Sequence, residues 1–351
     1  MSHESAQAAS VLLASLPGTV CGTTHGDGQA NDAPRDDAVR DDGNDLPQGG
    51  SAAVLAAQPW RVPPLPVCQA PSELMAPWLE AVRGRLTSTE RAVLMALKAK
   101  LEAELAEPWV VADPDINDGT LLRYCRGEKW NLDNATKVLR RSLAWRRETD
   151  AARRPHNLLR PSHWPEDCDD ASRPSGIAPR WRAGWHGCDH DGRPVFIDGT
   201  IGMDVAWMRS TAPQDWQQQI VELALAEAER HTELCVRHTS LARAARSFET
   251  HVVLVDCAGM SLAIRQCIPA IKQISALAGA HYPETVHSLL IVNAPSWFYS
   301  IYRLVERFIH PDTRAKVLMC SGAEQLFRHV PPNALPPSLG GTCTCAECCR
   351  Q

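Results

Sequence analysis

Residues 281–313 read HYPETVHSLLIVNAPSWFYSIYRLVERFIHPDT. The polar turn His281-Tyr-Pro-Glu284 leads into Leu289-Leu-Ile-Val292, a short branched apolar run that predicts a buried strand. Asn293-Ala-Pro295 ends it, because proline brings no N–H to a ladder and its fixed φ suits the first turn of a helix. From Trp297 to Ile309 the spacing is helical, yet apolar residues point nearly all round. Trp297, Phe298, Ile301, Leu304, Val305, Phe308 and Ile309 cannot share one core stripe. Such a helix is either buried on every side or passes between the protein and another apolar phase. The expectation is therefore a lipid-handling element.

Other blocks extend this reading in both directions. Asp118 to Trp145 reads DGTLLRYCRGEKWNLDNATKVLRRSLAW; Gly192-Arg-Pro-Val-Phe-Ile197 and Val252 to Ser261 (VVLVDCAGMS) read as strands, the second leading into a helix; Leu335-Pro-Pro-Ser-Leu-Gly-Gly341 closes the run. In order and spacing these blocks, with 281–313, resemble the CRAL-TRIO lipid-binding domain over residues 87–342. That is the fold of phosphatidylinositol-transfer and retinaldehyde- or tocopherol-binding proteins. The resemblance implies an α/β protein: a helical N-terminal module, then a lobe whose largely parallel sheet floors an apolar pocket closed by a gate helix.

Composition sets the boundaries. Residues 1–75 hold nine acidic and three basic side chains, leaving 33 basic against 32 acidic in the rest. The acid sits in Asp27 to Asp45 among Gly, Asn, Gln and Pro, a mixture that cannot bury enough apolar area to offset chain entropy. The expected organisation is a disordered acidic arm over 1–80, a helical module over 85–150, a lipid-binding lobe over 155–342 and a Cys-rich tail over 343–351. No window approaches the roughly 20 apolar residues of a membrane span. Val11-Leu-Leu-Ala-Ser-Leu16 is short and lacks a basic flank, so it is a poor signal peptide. Thirteen cysteines, an odd number, scatter through predicted helices and strands. These features predict reduced thiols and a cytoplasmic protein peripheral to membranes.

Thr87-Ser-Thr-Glu90 is a capping box opening a helix expected to run to Pro108. Asp118 and Asn131 open the next two. Residues 121–154 carry ten Lys or Arg against four acids. Arg140, Arg141, Arg146 and Arg147 are the candidate basic patch for an anionic membrane surface; a solvated helix face is the alternative. Nothing matches a nucleic-acid reading element.

In the lobe, strands are expected at 181–186 and 194–200 about the Asp189-His-Asp-Gly192 turn, then at 251–257, 287–292 and 317–320. One long helix is expected from Pro213 to about Ala245, another over 262–279. The pocket implied by the resemblance is lined by Val253, Val255, Ile264, Ile274, Ile291, Phe298, Ile301, Tyr302 and Val305. Trp297, Phe298, Ile301, Tyr302, Val305, Phe308 and Ile309 form its gate and membrane-docking face.

The lipid head is where this chain departs from relatives that bind phosphatidylinositol. Matched by motif, their two hydroxyl positions fall on His251 and Val253, their Glu near Ile274 and their Lys on Glu306. A carboxylate facing a phosphate repels it, and Val253 has no donor. Lys272, Arg303 and Arg307 are cations that could serve an anionic head differently; solvated or salt-bridged roles are the alternative. A sterol, a tocopherol-like or retinoid-like molecule, or phosphatidylcholine all stay open.

Gly259-Met-Ser261 resembles a nucleophile elbow, but position 263 is Ala and Ser261 sits where a helix N-cap belongs. Asp256 reads as a turn or capping group. His186, Cys188, His190 and Asp191 crowd one turn, whereas a closed zinc site draws ligands from two separated pairs. The tail Cys343-Thr-Cys-Ala-Glu-Cys-Cys349 offers thiols to a soft metal, a disulfide or palmitate without fixing any of these. The expectation is a monomeric, non-enzymatic protein with no metal and no cofactor beyond bound lipid, exchanging that lipid at membranes. A lipid-regulated adaptor recruiting an unidentified protein partner is the alternative.

Overall fold

The computed structural model describes residues 72–153, 176–241, 247–298 and 315–344. Residues 1–71, most of the expected gate (Ile301, Tyr302, Val305, Phe308, Ile309, with Arg303, Glu306 and Arg307) and 345–351 lie outside the described residues.

The N-terminal module is built from α1 (Ser72–Gly84), α2 (Ser88–Lys100), the short α3 (Glu102–Leu105) and α4 (Pro108–Ala112), α5 (Asp118–Gly127) and α6 (Leu132–Thr149). The capping box forms as expected: Glu90 N–H donates to Thr87 Oγ1 (3.2 Å) and Thr87 N–H to Glu90 Oε2 (2.9 Å). Asn117 and Asn131 cap α5 and α6. Two boundaries are corrected. The acidic arm does not reach residue 80, because α1 buries Trp78 at 2% exposure and its indole donates to the Phe248 carbonyl at 2.8 Å. The helix from Thr87 stops at Lys100, since Leu101 leaves the helical backbone (φ −116°, ψ 21°) while staying fully buried.

Five strands form one sheet in chain order: β1 (Ala183–Cys188), β2 (Pro194–Asp198), β3 (His251–Asp256), β4 (Val286–Val292) and β5 (Val317–Met319). β1 and β2 are antiparallel about a turn in which Asp189 Oδ1 accepts the Asp191 and Arg193 N–H groups; the remaining pairs are parallel. Parallel neighbours need crossovers: α7 (Val205–Thr211), α8 (Trp216–Ala228) and α9 (His231–Leu241) lie between β2 and β3, and α10 (Ile268–His281) between β3 and β4. The single helix expected to Ala245 is thus two, α8 and α9. At the break, Glu229 turns into the junction with the N-terminal module, where Arg146 and Tyr282 hold its carboxylate.

The pleat sends alternate side chains to opposite faces. Val252, Leu254 and Leu290 pack one face against the C-terminal segment, α11 (Ala323–Phe327), Val330, Leu335 and Leu339. Each fully buried Leu there contributes on the order of 2 kcal/mol. Gly187 meets this segment so closely that an added Cβ would sit 2.4 Å from the Ala334 carbonyl, and its φ of +68° also favours glycine. Val253, Val255 and Leu289 face the other way, towards α8 and α10.

Candidate functional site

Between that second sheet face and the crossover helices lies a cavity with about 1270 Å³ free of protein atoms, counting its open mouth. The sheet contributes Trp185, Phe196, Val253, Val255 and Leu289; α8 contributes Ile220, Ala224, Leu225 and Ala228; α10 contributes Ile271, Ile274 and Ala278. The positions in α10 fall at i, i+3 and i+7, one face of a helix. Met203, Met208 and Ile264 complete the apolar wall.

Of the expected lining residues, Val253, Val255, Ile264 and Ile274 stand on this wall. Ile291 does not. The cavity lies beside the N-terminal half of β4, at Val286 and Leu289, and Ile291, 1% exposed in the same apolar cluster as much of the wall, does not reach it. Phe298 is buried in the same cluster (3% exposed) and Trp297 packs against it half-buried; neither lines the cavity. Trp185, Phe196, Met208, Ile220 and Ile271 are lining residues that the reading of the sequence missed. Period-two alternation in 194–198 and the helical stripe in 216–228 are the signals for them.

Polar groups enter the wall in two places. Asp198 accepts from Thr200 N–H (2.9 Å) and Oγ1 (2.6 Å), and burial raises its pKa. At the start of β3 and β4 stand His231, His251, Thr285 and Glu227. His251 packs edge-on to Trp185 and His231, with ring centroids 4.8 and 5.0 Å apart. Burial keeps both imidazoles neutral: His231 falls well below its ordinary pKa and His251 to about 3. Burial raises Glu227 to about 7 against the opposing pull of Arg230.

The basic patch is corrected. Arg146 is 9% exposed and sits in a carboxylate cage: Nη2 lies 2.8 Å from both Asp113 Oδ2 and Glu229 Oε2, and 3.9 Å from Asp115. Burial disfavours its charge, but Glu229, Asp113 and Asp115 outweigh burial and hold it protonated. Arg140 pairs with Glu104 (2.6 Å) and Arg147 with Glu107 (3.1 Å), while Arg141 is exposed. Arg123 is buried and Arg126 pairs with Glu249, which further reduces the free positive face.

The polar turn before β4 binds the module to the lobe. Trp145 stacks on His281 (centroids 3.9 Å, 10° between planes), Tyr124 OH donates to the His281 carbonyl (2.8 Å), and Tyr282 OH donates to Glu229. Ser261 caps the helical turn after β3 by accepting the Ala263 N–H, and Asp256 accepts from Ala258 N–H and Asn293 Nδ2. Asp191 pairs with Arg193 and His190 Nε2 lies 2.8 Å from the Phe327 carbonyl; among the described residues no three metal-type side chains converge, and the seven described cysteines are free. No helix among them is long and apolar enough to cross a membrane.

An antiparallel edge hairpin on a parallel sheet, an apolar cavity under crossover helices and a helical N-terminal module define an α/β protein with a buried apolar pocket. Family comparison agrees: residues 180–341 match the CRAL/TRIO domain and residues 88–141 the CRAL/TRIO N-terminal domain, and the chain belongs to the CRAL-TRIO family. It is 28% identical to "Protein real-time" of Anopheles gambiae over 81% of its length, spanning only 39% of that relative. It is 26% identical to the "Sec14 cytosolic factor" of Schizosaccharomyces pombe over 76% of its length and 87% of that relative. The crystal structure of Sfh5 aligns over 69% of this chain and 83% of its own, with a TM-score of 0.46 and 15% identity.

Proposed function

We propose that this protein binds one hydrophobic lipid in the cavity and exchanges it at membranes, acting as a monomer at their cytosolic face and doing no chemistry on its cargo. The observation that carries this reading is the cavity itself. Its wall is dominated by branched, aromatic and Met side chains contributed by one sheet face and two helices. Concave, water-poor sites of this kind suit an acyl or isoprenoid chain. Burial returns about 25 cal/mol per Å² of apolar area, but the bilayer offers the same, so the exchange rate rests on how the cavity opens. The gate expected over 297–309 is the element assigned to opening. The groups that resemble catalytic ones are occupied otherwise, with Ser261 capping a helix and Asp256 fixing a turn.

Native mass spectrometry of the full-length protein, followed by lipid extraction, tests this. One lipid per chain, exchangeable with vesicles, is the expected result. A protein that copurifies with no lipid and acquires none from mixed vesicles overturns it. Tight, non-exchanging lipid favours the adaptor function instead.

A further inference from the structure

Charge is divided unevenly between the start of the chain and the module that follows it. Residues 27–45 read DGQANDAPRDDAVRDDGND, seven Asp against Arg35 and Arg40, with the acids densest in two Arg-Asp-Asp steps at 35–37 and 40–42. The 26 residues from Leu46 to Pro71 carry one charge, Arg61, and six prolines. An acidic block is thus followed by a nearly neutral spacer.

The module offers a surface of the opposite sign. Lys100, at the end of α2, and Lys137, Arg140 and Arg141, on α6, line an open cleft with about 810 Å³ free of protein atoms, together with Thr136 and Asp133. All four cations are exposed. Asp133 pairs with Lys100 (2.5 Å) and Glu104 with Arg140 (2.6 Å), so two carboxylates serve four cations. Among the described residues Lys137 and Arg141 have no ion pair. They stand at i and i+4 on α6, where like charges repel and an anion laid across both relieves the repulsion. A concave cleft admits a peptide segment, whereas a flat bilayer meets its rim first.

The arm is long enough to arrive there. Arg83 of α1 and Lys98 of α2 both pair with Asp118, at 2.6 and 2.9 Å, so the end of α1 lies beside the end of α2 that carries Lys100. α1 has 13 residues, and its length of about 20 Å puts Ser72 within roughly 40 Å of the cleft. At about 3.1 Å per residue for a proline-rich chain, the spacer spans up to roughly 80 Å.

We infer that residues 27–45 dock in the cleft formed by Lys100, Lys137, Arg140 and Arg141 of their own chain, covering the module's exposed cations until an anionic membrane displaces them. Exposed ion pairs are individually weak and screened by salt, so docking is a partial, reversible equilibrium. The contact goes beyond the lipid-exchange function and forms with no lipid present.

The test uses the full-length chain. Treated with a carbodiimide at about 0.02 M salt, which joins carboxylates to amines in contact, its peptides are mapped by mass spectrometry. The chain has six lysines, so the map discriminates among surfaces. The expected links run from Asp27–Asp45 to Lys100 and Lys137 ahead of the other four, and they vanish at about 0.5 M salt. Links spread evenly over all six lysines overturn the docking, as do links found only between light and isotope-labelled copies of the chain. Asp36→Asn, Asp37→Asn, Asp41→Asn and Asp42→Asn, combined, should tighten binding to vesicles of equal parts phosphatidylserine and phosphatidylcholine about threefold, the factor for an arm docked on about two-thirds of molecules. In a Lys137→Gln, Arg141→Gln background the same four substitutions should gain nothing. An equal gain in both backgrounds would mean plain repulsion between arm and bilayer, and no gain in the parent would leave the cleft to membranes alone; either result overturns the docking.

Discussion

Arg146, near the end of α6, and Glu229, in the break between α8 and α9, share two hydrogen bonds: Nη1 to Oε1 at 3.1 Å and Nη2 to Oε2 at 2.8 Å. The pair joins the N-terminal module to the lobe, and Asp113 takes the remaining face of the guanidinium. Deleting one partner of such a buried group leaves uncompensated charge. Arg146→Met should therefore cost about 3–5 kcal/mol in urea denaturation, because Asp113 and Glu229 stay buried together. Arg146→Lys should recover only part of this, since an ammonium cannot serve two carboxylates in the planar fork that Arg supplies. A loss below about 1 kcal/mol for the Met variant would refute the junction role.

Glu227 gives the fold a pH dependence whose sign follows from its raised pKa. Folded, it titrates at about 7 instead of 4.5, so the native state holds a proton that the unfolded chain releases. Its contribution is fully present below pH 4.5 and is lost as pH rises towards 7. Glu227→Gln removes this loss. At pH 8 the variant should be more stable than the parent by up to about 3 kcal/mol, converging on it near pH 4. Thermal unfolding at both pH values checks this; an equal gain at each would mean that ionisation is not the cause. His251 acts in the opposite direction: buried neutral with a pKa of about 3, it costs stability as pH falls from 6.5 towards 3.

Any membrane-facing charge on the module must come from residues that are not already paired into the fold. Lys137 and Arg141 border a shallow cleft with Lys100, Asp133 and Arg140, and Arg141 is exposed. At roughly 1 kcal/mol per cation near an anionic surface, Lys137→Glu with Arg141→Glu should weaken binding to phosphatidylserine vesicles at least about tenfold at low salt. The same substitutions should leave the thermal midpoint nearly unchanged. Vesicle co-sedimentation with unaltered affinity would make this a solvated face.

These features differ in how far the sequence reveals them. The β4 run and the capping box are local, each set by a few adjacent residues with strong preferences, and they form as read. Trp78 escapes because its helix borders an acidic, Gly- and Pro-rich stretch, and composition averaged across that border hides it. Arg146 escapes for a different reason. A basic residue in the last turn of a helix reads the same whether it faces water or a cage, and its partners lie 33 and 83 positions away. The cavity is half legible. Alternation marks Val253 and Val255, whereas a lone His231 at a helix start gives no sign of its neighbour His251. Alternation along β4 gives Leu289 and Ile291 the same face, and only the fold shows that the cavity ends at Leu289.

Trp297 is the residue through which gate opening can be tested apart from folding. Phe298 is almost fully buried, so Phe298→Ala should cost about 3 kcal/mol through the cavity it leaves, and slower transfer by that variant would be ambiguous. Trp297 is only half-buried against the same cluster, just after Pro295, whose carbonyl accepts the Phe298 N–H at 2.8 Å. If the segment leaves the protein to meet a bilayer, the indole is among the first groups to enter the interface, where its apolar body and polar N–H are both accommodated. Trp297→Ala should then slow vesicle-to-vesicle transfer of a fluorescent lipid several-fold while moving the thermal midpoint by only a few degrees. Transfer at the parental rate, or a rate loss fully matched by lost stability, would place Trp297 in the core and leave opening to another element.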